Sequence, residues 1–462
     1  MQLDMTRGRI LPTLLRFIAP LIIGNLFQQV YNLTDMYIAG RFIGANAVAA
    51  VGSVGALMFL LLGFMMGLTS GCTVLTAQRF GAGDAEGVKK SVAGTAIISV
   101  AMAIAGTLAG LILLDGALKL MNMSADIYDD GKAYIQIIYL GLAGNMLYNS
   151  VSSLLRAAGD SKASLYFLLL SAGLNVVLDI LLIAVIPMGV KGAAIATIIS
   201  QTVSGAASLI YMVKKVPALR VSRAEFKIDW GVIMAQLKMG LPMALQFTIT
   251  AMGIVAIQSA LNTFGTDPVA GYAVAVKVDQ FVQQPIFALS MAMTTFAAQN
   301  KGRELYGRIK KGTLLMIGLA ILYCSFSAAL SRTIMRSAVR FIISGESAQR
   351  IEAIASYAQI YANNTLTFIV ALALLMLARN VLQGCGYSFF PMIGAVLELG
   401  ARFYFSARAA VQGDFGGVCF AQPITWSIVG AILWAVFIII YCRKMKGKEF
   451  ASIKREEGLC QY

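Results

Sequence analysis

The chain has 462 residues, of which 58% are hydrophobic and only 13% charged, and its mean hydropathy is +0.77. Soluble domains carry about 25% charged residues, so this composition excludes a soluble globular protein. The formal charge of +15 points to membrane topology rather than to nucleic acid, because Lys and Arg of membrane proteins collect in cytoplasmic loops.

Breaks at polar, Gly/Pro or charged clusters predict twelve membrane-spanning helices. The first six cover 13–38, 47–77, 91–114, 132–155, 163–186 and 190–213, and the second six cover 232–262, 268–299, 312–332, 353–382, 388–410 and 416–442. Helices satisfy their own backbone hydrogen bonds in lipid, and no alternating pattern suggests a barrel, so the fold class is an all-α polytopic membrane protein. The N-terminal six-helix lobe is expected over 1–213, a cytoplasmic linker over 214–231, the C-terminal lobe over 232–442 and a cytoplasmic tail over 443–462.

Lys and Arg concentrate in the two termini and in the 2–3, 4–5, 6–7, 8–9 and 10–11 connections. This bias places both termini in the cytoplasm of a cell inner membrane. Arg332, Arg336, Arg340 and Arg350 dissent, while Lys277 and Arg402 lie within spans. The polar, basic start MQLDMTRGRI precedes an apolar run of spanning length without a cleavage site, so no removable signal peptide is expected.

The halves resemble each other. Pro20 pairs with Pro242, Gln78 with Gln299, Gly159 with Gly386 and Gly192 with Gly417, at offsets of 222, 221, 227 and 225 residues. Ordered offsets indicate one duplication. Six spans per repeat give both halves the same orientation, related by a pseudo-two-fold axis along the membrane normal, with a substrate cavity between them.

Histidine is absent, so proton chemistry must use carboxylates. Cys72, Cys324, Cys385, Cys419, Cys442 and Cys460 form no CxxC and read as structural thiols. No HExxH, Ser/His or paired-Cys constellation supports an enzyme. Gly-rich GFMMGLTSG is read as close helix packing, since no Walker motif follows.

The informative segment is LNVVLDILL, residues 174–182, which sets Asn175 and Asp179 one turn apart on a single face of an apolar helix. A carboxylate at the centre of a membrane helix costs about 2.5–3.5 kcal/mol on insertion scales and requires a partner, water or an ion. The first span adds Gln28, Tyr31, Asn32 and Asp35, and the sixth adds Thr197. Together they supply hard oxygen ligands for Na⁺ or H⁺ with no Lys or Arg inside that half. The alternative is hydrogen-bonded helix glue.

In the second half, Glu398 and Arg402 stand at i, i+4, suited to a bracing ion pair or to substrate gating. Lys277 and Asp279 are two apart and need separate partners. Tyr31, Tyr139, Phe281 and Phe287 offer either an adaptable wall for flat cations or plain packing.

These spans, the Pro20/Pro242 openings, QQVYNLTDMYIAGRFIGANAVAAVG and GVKGAAIAT together resemble the multidrug and toxic compound extrusion (MATE) family over about residues 10 to 442. The resemblance implies a secondary transporter that exports organic cations and other drugs by antiport with Na⁺ or H⁺, acting as a monomer among membrane lipids and conferring antibiotic resistance. It implies a cation site at Asp35, Gln28, Asn175, Asp179 and Thr197, with Na⁺ held by Asp35, Asn175, Asp179 and Thr197. Candidates for the substrate cavity are Tyr31, Asn32, Tyr139, Gln246, Lys277, Phe281, Phe287, Glu398 and Arg402. Some members also carry a glutamate on the seventh helix and an aspartate on the tenth. Here those spans offer Gln246, Thr248 and Thr250, and Asn363 and Asn364. The alternative is a lipid-linked oligosaccharide flippase of the related superfamily, which calls for a cavity dense in Arg. A passive channel fits the asymmetric ion ligands less well.

Overall fold

A computed structural model describes residues 3–121, 123–222, 226, 228–343, 346–445 and 447; Cys460 and the tail beyond 447 lie outside the described residues. Among them there is no strand. The α-helices are α1 (Ile10–Phe42), α2 (Ala45–Ala82), α3 (Ala85–Leu120), α4 (Ala125–Leu140), α5 (Leu142–Ala157), α6 (Ser161–Asp179) and α7 (Val190–Lys215) in the first half. The second half holds α8 (Trp230–Leu261), α9 (Thr266–Gly302), α10 (Tyr306–Ile342), α11 (Ala348–Asn364), α12 (Ile369–Gly384), α13 (Phe389–Val411) and α14 (Phe415–Ile440).

Nine helical segments among the described residues are long and apolar enough to cross a membrane. The expected spans 132–155, 268–299 and 388–410 fall below that measure. The first is broken into two sixteen-residue helices. The other two carry charges, Lys277 and Asp279 in α9 and Glu398, Arg402 and Arg408 in α13. Lipid-facing character is plain on α3, where Val100, Ile104, Leu108 and Ile112 recur every fourth residue and are all more than half exposed.

The uninterrupted fourth and tenth spans expected from hydropathy are corrected. The fourth breaks at Gly141, where a Cβ would collide with the Ile198 side chain of α7. The tenth breaks at Thr365, whose hydroxyl donates to the Cys419 carbonyl at 2.8 Å, before a single tight turn at Leu366–Phe368. In both cases a close neighbour outweighs the regular helical ladder.

The breaks fall at matching places in the two halves, and the left-handed backbone positions repeat likewise. Gly44 (φ 117°) matches Gly265 (φ 88°), Gly159 (83°) matches Gly386 (80°), and Gly189 (62°) matches Gly413 (67°). Gly83 (76°) matches Glu304 (59°), the one non-glycine with positive φ among the described residues. Positive φ is sterically natural only to glycine, so its recurrence at corresponding junctions records one ancestral turn pattern used twice.

The chain forms two compact units, dividing inside α8. One comprises Met1–Met5 and Leu15–Phe247, the other Thr6–Leu14 and Thr248–Tyr462. Within the first unit, α2 and the opening of α8 meet backbone to backbone: a Cβ on Gly67 would lie 2.7 Å from Ala244 Cα, and one on Gly71 2.5 Å from Gly240 Cα. GFMMGLTSG is thus a close-packing surface. Gln236, fully buried nearby, donates to the Ser91 carbonyl and to the Thr95 hydroxyl, both at 2.8 Å. Within the second unit, Arg308 of α10 reaches the carbonyls of Arg7 and Gly8 at 3.2 and 3.0 Å, anchoring the segment that opens α1.

Candidate functional site

The stripe in LNVVLDILL is buried. Asn175 and Asp179 are 1% and 2% exposed, and both point from α6 towards α1 and α7. The Asn175 amide fits its surroundings when its nitrogen faces the carboxylates, since the opposite orientation would set its oxygen against two acceptors. That nitrogen then donates to Asp35 Oδ1 at 2.8 Å and to Asp179 Oδ2 at 3.0 Å, while its oxygen accepts from the Thr197 backbone N–H at 3.2 Å. The carboxyl groups of Asp35 and Asp179 also interact with each other, and Asp35 interacts with the Tyr31 hydroxyl. Tyr31 also meets the Thr197 hydroxyl, which donates to the Ala193 carbonyl at 3.0 Å.

Three helices therefore converge on one cluster of oxygens. Local geometry contributes: immediately after Asp179 the helix widens over Ile180–Val185, with the Ile186 N–H reaching the Leu181 carbonyl at 2.9 Å. Such widened turns recur at functional sites because they re-aim side chains. Asp179 Oδ1 is buried without a hydrogen-bond partner. A buried carboxylate oxygen left open beside a second carboxylate calls for a proton or a hard cation. No group of three or more His, Cys, Asp or Glu side chains that could hold a metal occurs among the described residues.

Gln28 does not join this cluster. Its amide donates to Asn32 Oδ1 at 3.3 Å, one turn along α1, and Asn32 is exposed. Tyr134 of α4 lies within electrostatic range of both Asp35 and Asp179 and is buried. Sequence spacing gave no sign of it, because its place depends on how α4 packs.

The cavity candidates fall in both units. Tyr139 is buried in a core cluster with Leu114, Leu118 and Ile138, its ring 2.7 Å from where a Cβ of Gly110 would stand. Gln246 is buried in the first unit. On α9, Lys277 is exposed, and Phe281 and Phe287 are about one third exposed. Asp279 is buried in that helix, accepting from the Tyr361 hydroxyl at 2.6 Å and from Gln283 at 2.8 Å. Tyr361 in turn meets Tyr272 edge to face at 5.1 Å.

Glu398 and Arg402 are buried and paired, with a third member that the sequence pattern did not single out. Arg379, 1% exposed on α12, binds one Glu398 oxygen while Arg402 binds the other. Arg379 lies inside the expected tenth span, 353–382; α12 continues to Gly384, and the chain turns at Gly386.

Comparison with known proteins agrees with this architecture. The MatE family profile matches residues 20–181 and 242–407, two stretches that open at the paired prolines. The probable multidrug resistance protein YpnP of Bacillus subtilis is 30% identical over 300 residues, covering 65% of this chain and 67% of that protein. The probable multidrug resistance protein YoeA of the same organism is 29% identical over 314 residues, covering 66% and 67%. A MOP superfamily transporter from Pyrococcus furiosus, described as having a binding pocket of reverse polarity that suggests a different function, superposes with a TM-score of 0.89 at 22% identity, over 96% of this chain and 99% of that one. The polytopic helical fold, its duplicated turns and a family match spanning most of both halves converge, and the chain belongs to the MatE family of multidrug and toxic compound extrusion transporters.

Proposed function

We propose that the protein is a secondary multidrug exporter of the cell inner membrane, moving organic cations outward in exchange for Na⁺ or H⁺ by alternating access. Both termini would then lie in the cytoplasm. The observation that carries this reading is the contact of Asp35 with Asp179, bridged by Asn175, with no basic side chain in the cluster. Two adjacent carboxylates accept a cation or a proton far more cheaply than they remain bare. Occupation removes negative charge, which weakens the hold on a cationic drug. It also changes the hydrogen bonds that tie α1 to α6, the element through which charge would become motion.

The names of the relatives, probable multidrug resistance proteins, support drugs as the cargo. The flippase alternative calls for arginines free to bind lipid-linked phosphates. Arg379 and Arg402 are both engaged by Glu398, which favours the exporter. The test is uptake of a cationic dye into inverted vesicles, driven in turn by an imposed pH gradient and an imposed Na⁺ gradient. Export driven by one of them is the expected result; export driven by neither would overturn the reading.

A further inference from the structure

The first unit contains a cavity of about 390 Å³ between α3, α5 and α7, roofed by the segment that follows α7. That volume lies within the range of about 300–1,000 Å³ that small-molecule sites occupy. It is separate from the acidic cluster, sharing none of its residues. Its wall is aliphatic, as in Ala103, Met146, Leu154 and Met212, and Leu219, Val221 and Phe226 close the roof.

The hydroxyls in the wall are already engaged. Ser99 and Ser150 bond to each other at 2.7 Å, and Thr95 donates to the Ser91 carbonyl while accepting from Gln236. The wall hydroxyls are turned to one another or to the backbone and the rest of the lining is apolar, so it suits an apolar occupant. Val100 and Ile104, both lining the cavity, are 61% and 57% exposed on the face of α3 that meets lipid, so the cavity is open on the hydrocarbon side.

Basic residues flank its lining in the sequence. Lys214 and Lys215 directly follow Val213 of the wall, and Arg220 stands between Leu219 and Val221 of the roof. All three are exposed, and none has an acidic partner among the described residues. An apolar slot open to the bilayer, flanked in sequence by three exposed cations that are unpaired among the described residues, complements one molecule: a lipid with an acyl chain and an anionic phosphate headgroup. We infer that this cavity binds an acyl chain of an anionic phospholipid, whose headgroup is held by Lys214, Lys215 and Arg220.

Full-length protein in detergent, supplemented with dioleoylphosphatidylglycerol or dioleoylphosphatidylcholine at equal mole fraction, tests this by melting temperature and by mass spectrometry of retained lipid. The anionic lipid should stabilise the wild type more and be retained preferentially, with the preference shrinking at high salt. In Lys214→Gln/Lys215→Gln/Arg220→Gln each lost charge should weaken anionic-lipid binding about fivefold while the effect of phosphatidylcholine stays. Ala143→Phe, a lining residue that is itself exposed, should reduce retention of both lipids; Ala96→Leu provides a milder filling should that variant fail to fold. Equal retention of the two lipids by the wild type would overturn the inference. So would unchanged phosphatidylglycerol binding in the charge variant, or in the filled variant that folds. Preferential uptake of an uncharged apolar dye with no dependence on headgroup would instead identify a drug pocket and also count against it. None of these readouts depends on transport.

Discussion

The side-chain nitrogen of Asn175 lies 2.8 Å from Asp35 Oδ1, joining α6 to α1 through a single amide that also holds Asp179. The state of two carboxylates is thereby coupled to the contact between two helices. Charge arriving at the cluster changes what the amide binds, and so changes what anchors α1.

Asp35→Asn keeps the shape of the side chain but removes its charge and one ligating oxygen. Active export of a cationic dye should be lost, while membrane insertion and yield match the wild type. Dye resistance of expressing cells, read alongside the amount of protein in the membrane, checks this. Resistance at the wild-type level would remove Asp35 from the mechanism.

Ion binding should appear as stability, because a ligand that binds only the folded state raises its melting temperature. The gain is about 2.7 kcal/mol at a hundredfold excess over Kd. Melting curves in detergent against Na⁺ at constant ionic strength, and against falling pH without Na⁺, should show a rise with the coupling ion. The rise should vanish in Asp179→Asn and weaken in Asn175→Ala and Thr197→Ala. Glu398→Gln should start from a lower melting temperature yet keep the rise, since its site lies in the other unit. A shift that survives Asp179→Asn unchanged would reduce the cluster to helix glue.

The Arg379–Glu398–Arg402 network makes unequal demands on its members. Glu398→Ala strands two buried guanidinium groups and should cost the most, on the order of 3–5 kcal/mol. Arg402→Ala leaves Glu398 bound to Arg379 and should cost less. The double change Glu398→Ala/Arg402→Ala should recover only part of the loss, because Arg379 remains unpaired. Thermal melting by size-exclusion fluorescence would rank the three; equal costs for the two single changes would mean that Arg379 contributes nothing.

Two glycines of α2 should respond oppositely to alanine. At Gly71 a Cβ would meet the Gly240 backbone at 2.5 Å, so Gly71→Ala should cost about 1–3 kcal/mol through overpacking. At Gly52 a Cβ meets nothing within 4 Å among the described residues, so Gly52→Ala should be neutral or stabilise by up to about 1 kcal/mol. Melting temperatures of the two variants decide this directly.

Much of the architecture is written in local pattern. Apolar runs of spanning length, the paired prolines and the ordered offsets announce a duplicated helical membrane protein, because each depends on residues near one another in the chain. The pairing of Asn175 with Asp179 is equally legible, since one helical turn fixes it. Gln28 satisfies the same periodicity yet bonds Asn32 instead, for periodicity selects a face and not a partner. What joined Asp35 to Asn175, brought Tyr134 beside both acids and turned Arg379 onto Glu398 was the packing of helices far apart in sequence. The broken fourth and tenth spans were decided in the same way, by Ile198 crowding Gly141 and by the Cys419 carbonyl accepting from Thr365. The chain's own periodicity determines which helical face is apolar, whereas the burial of a charge and the breaking of a helix depend on the neighbour that occupies the facing groove.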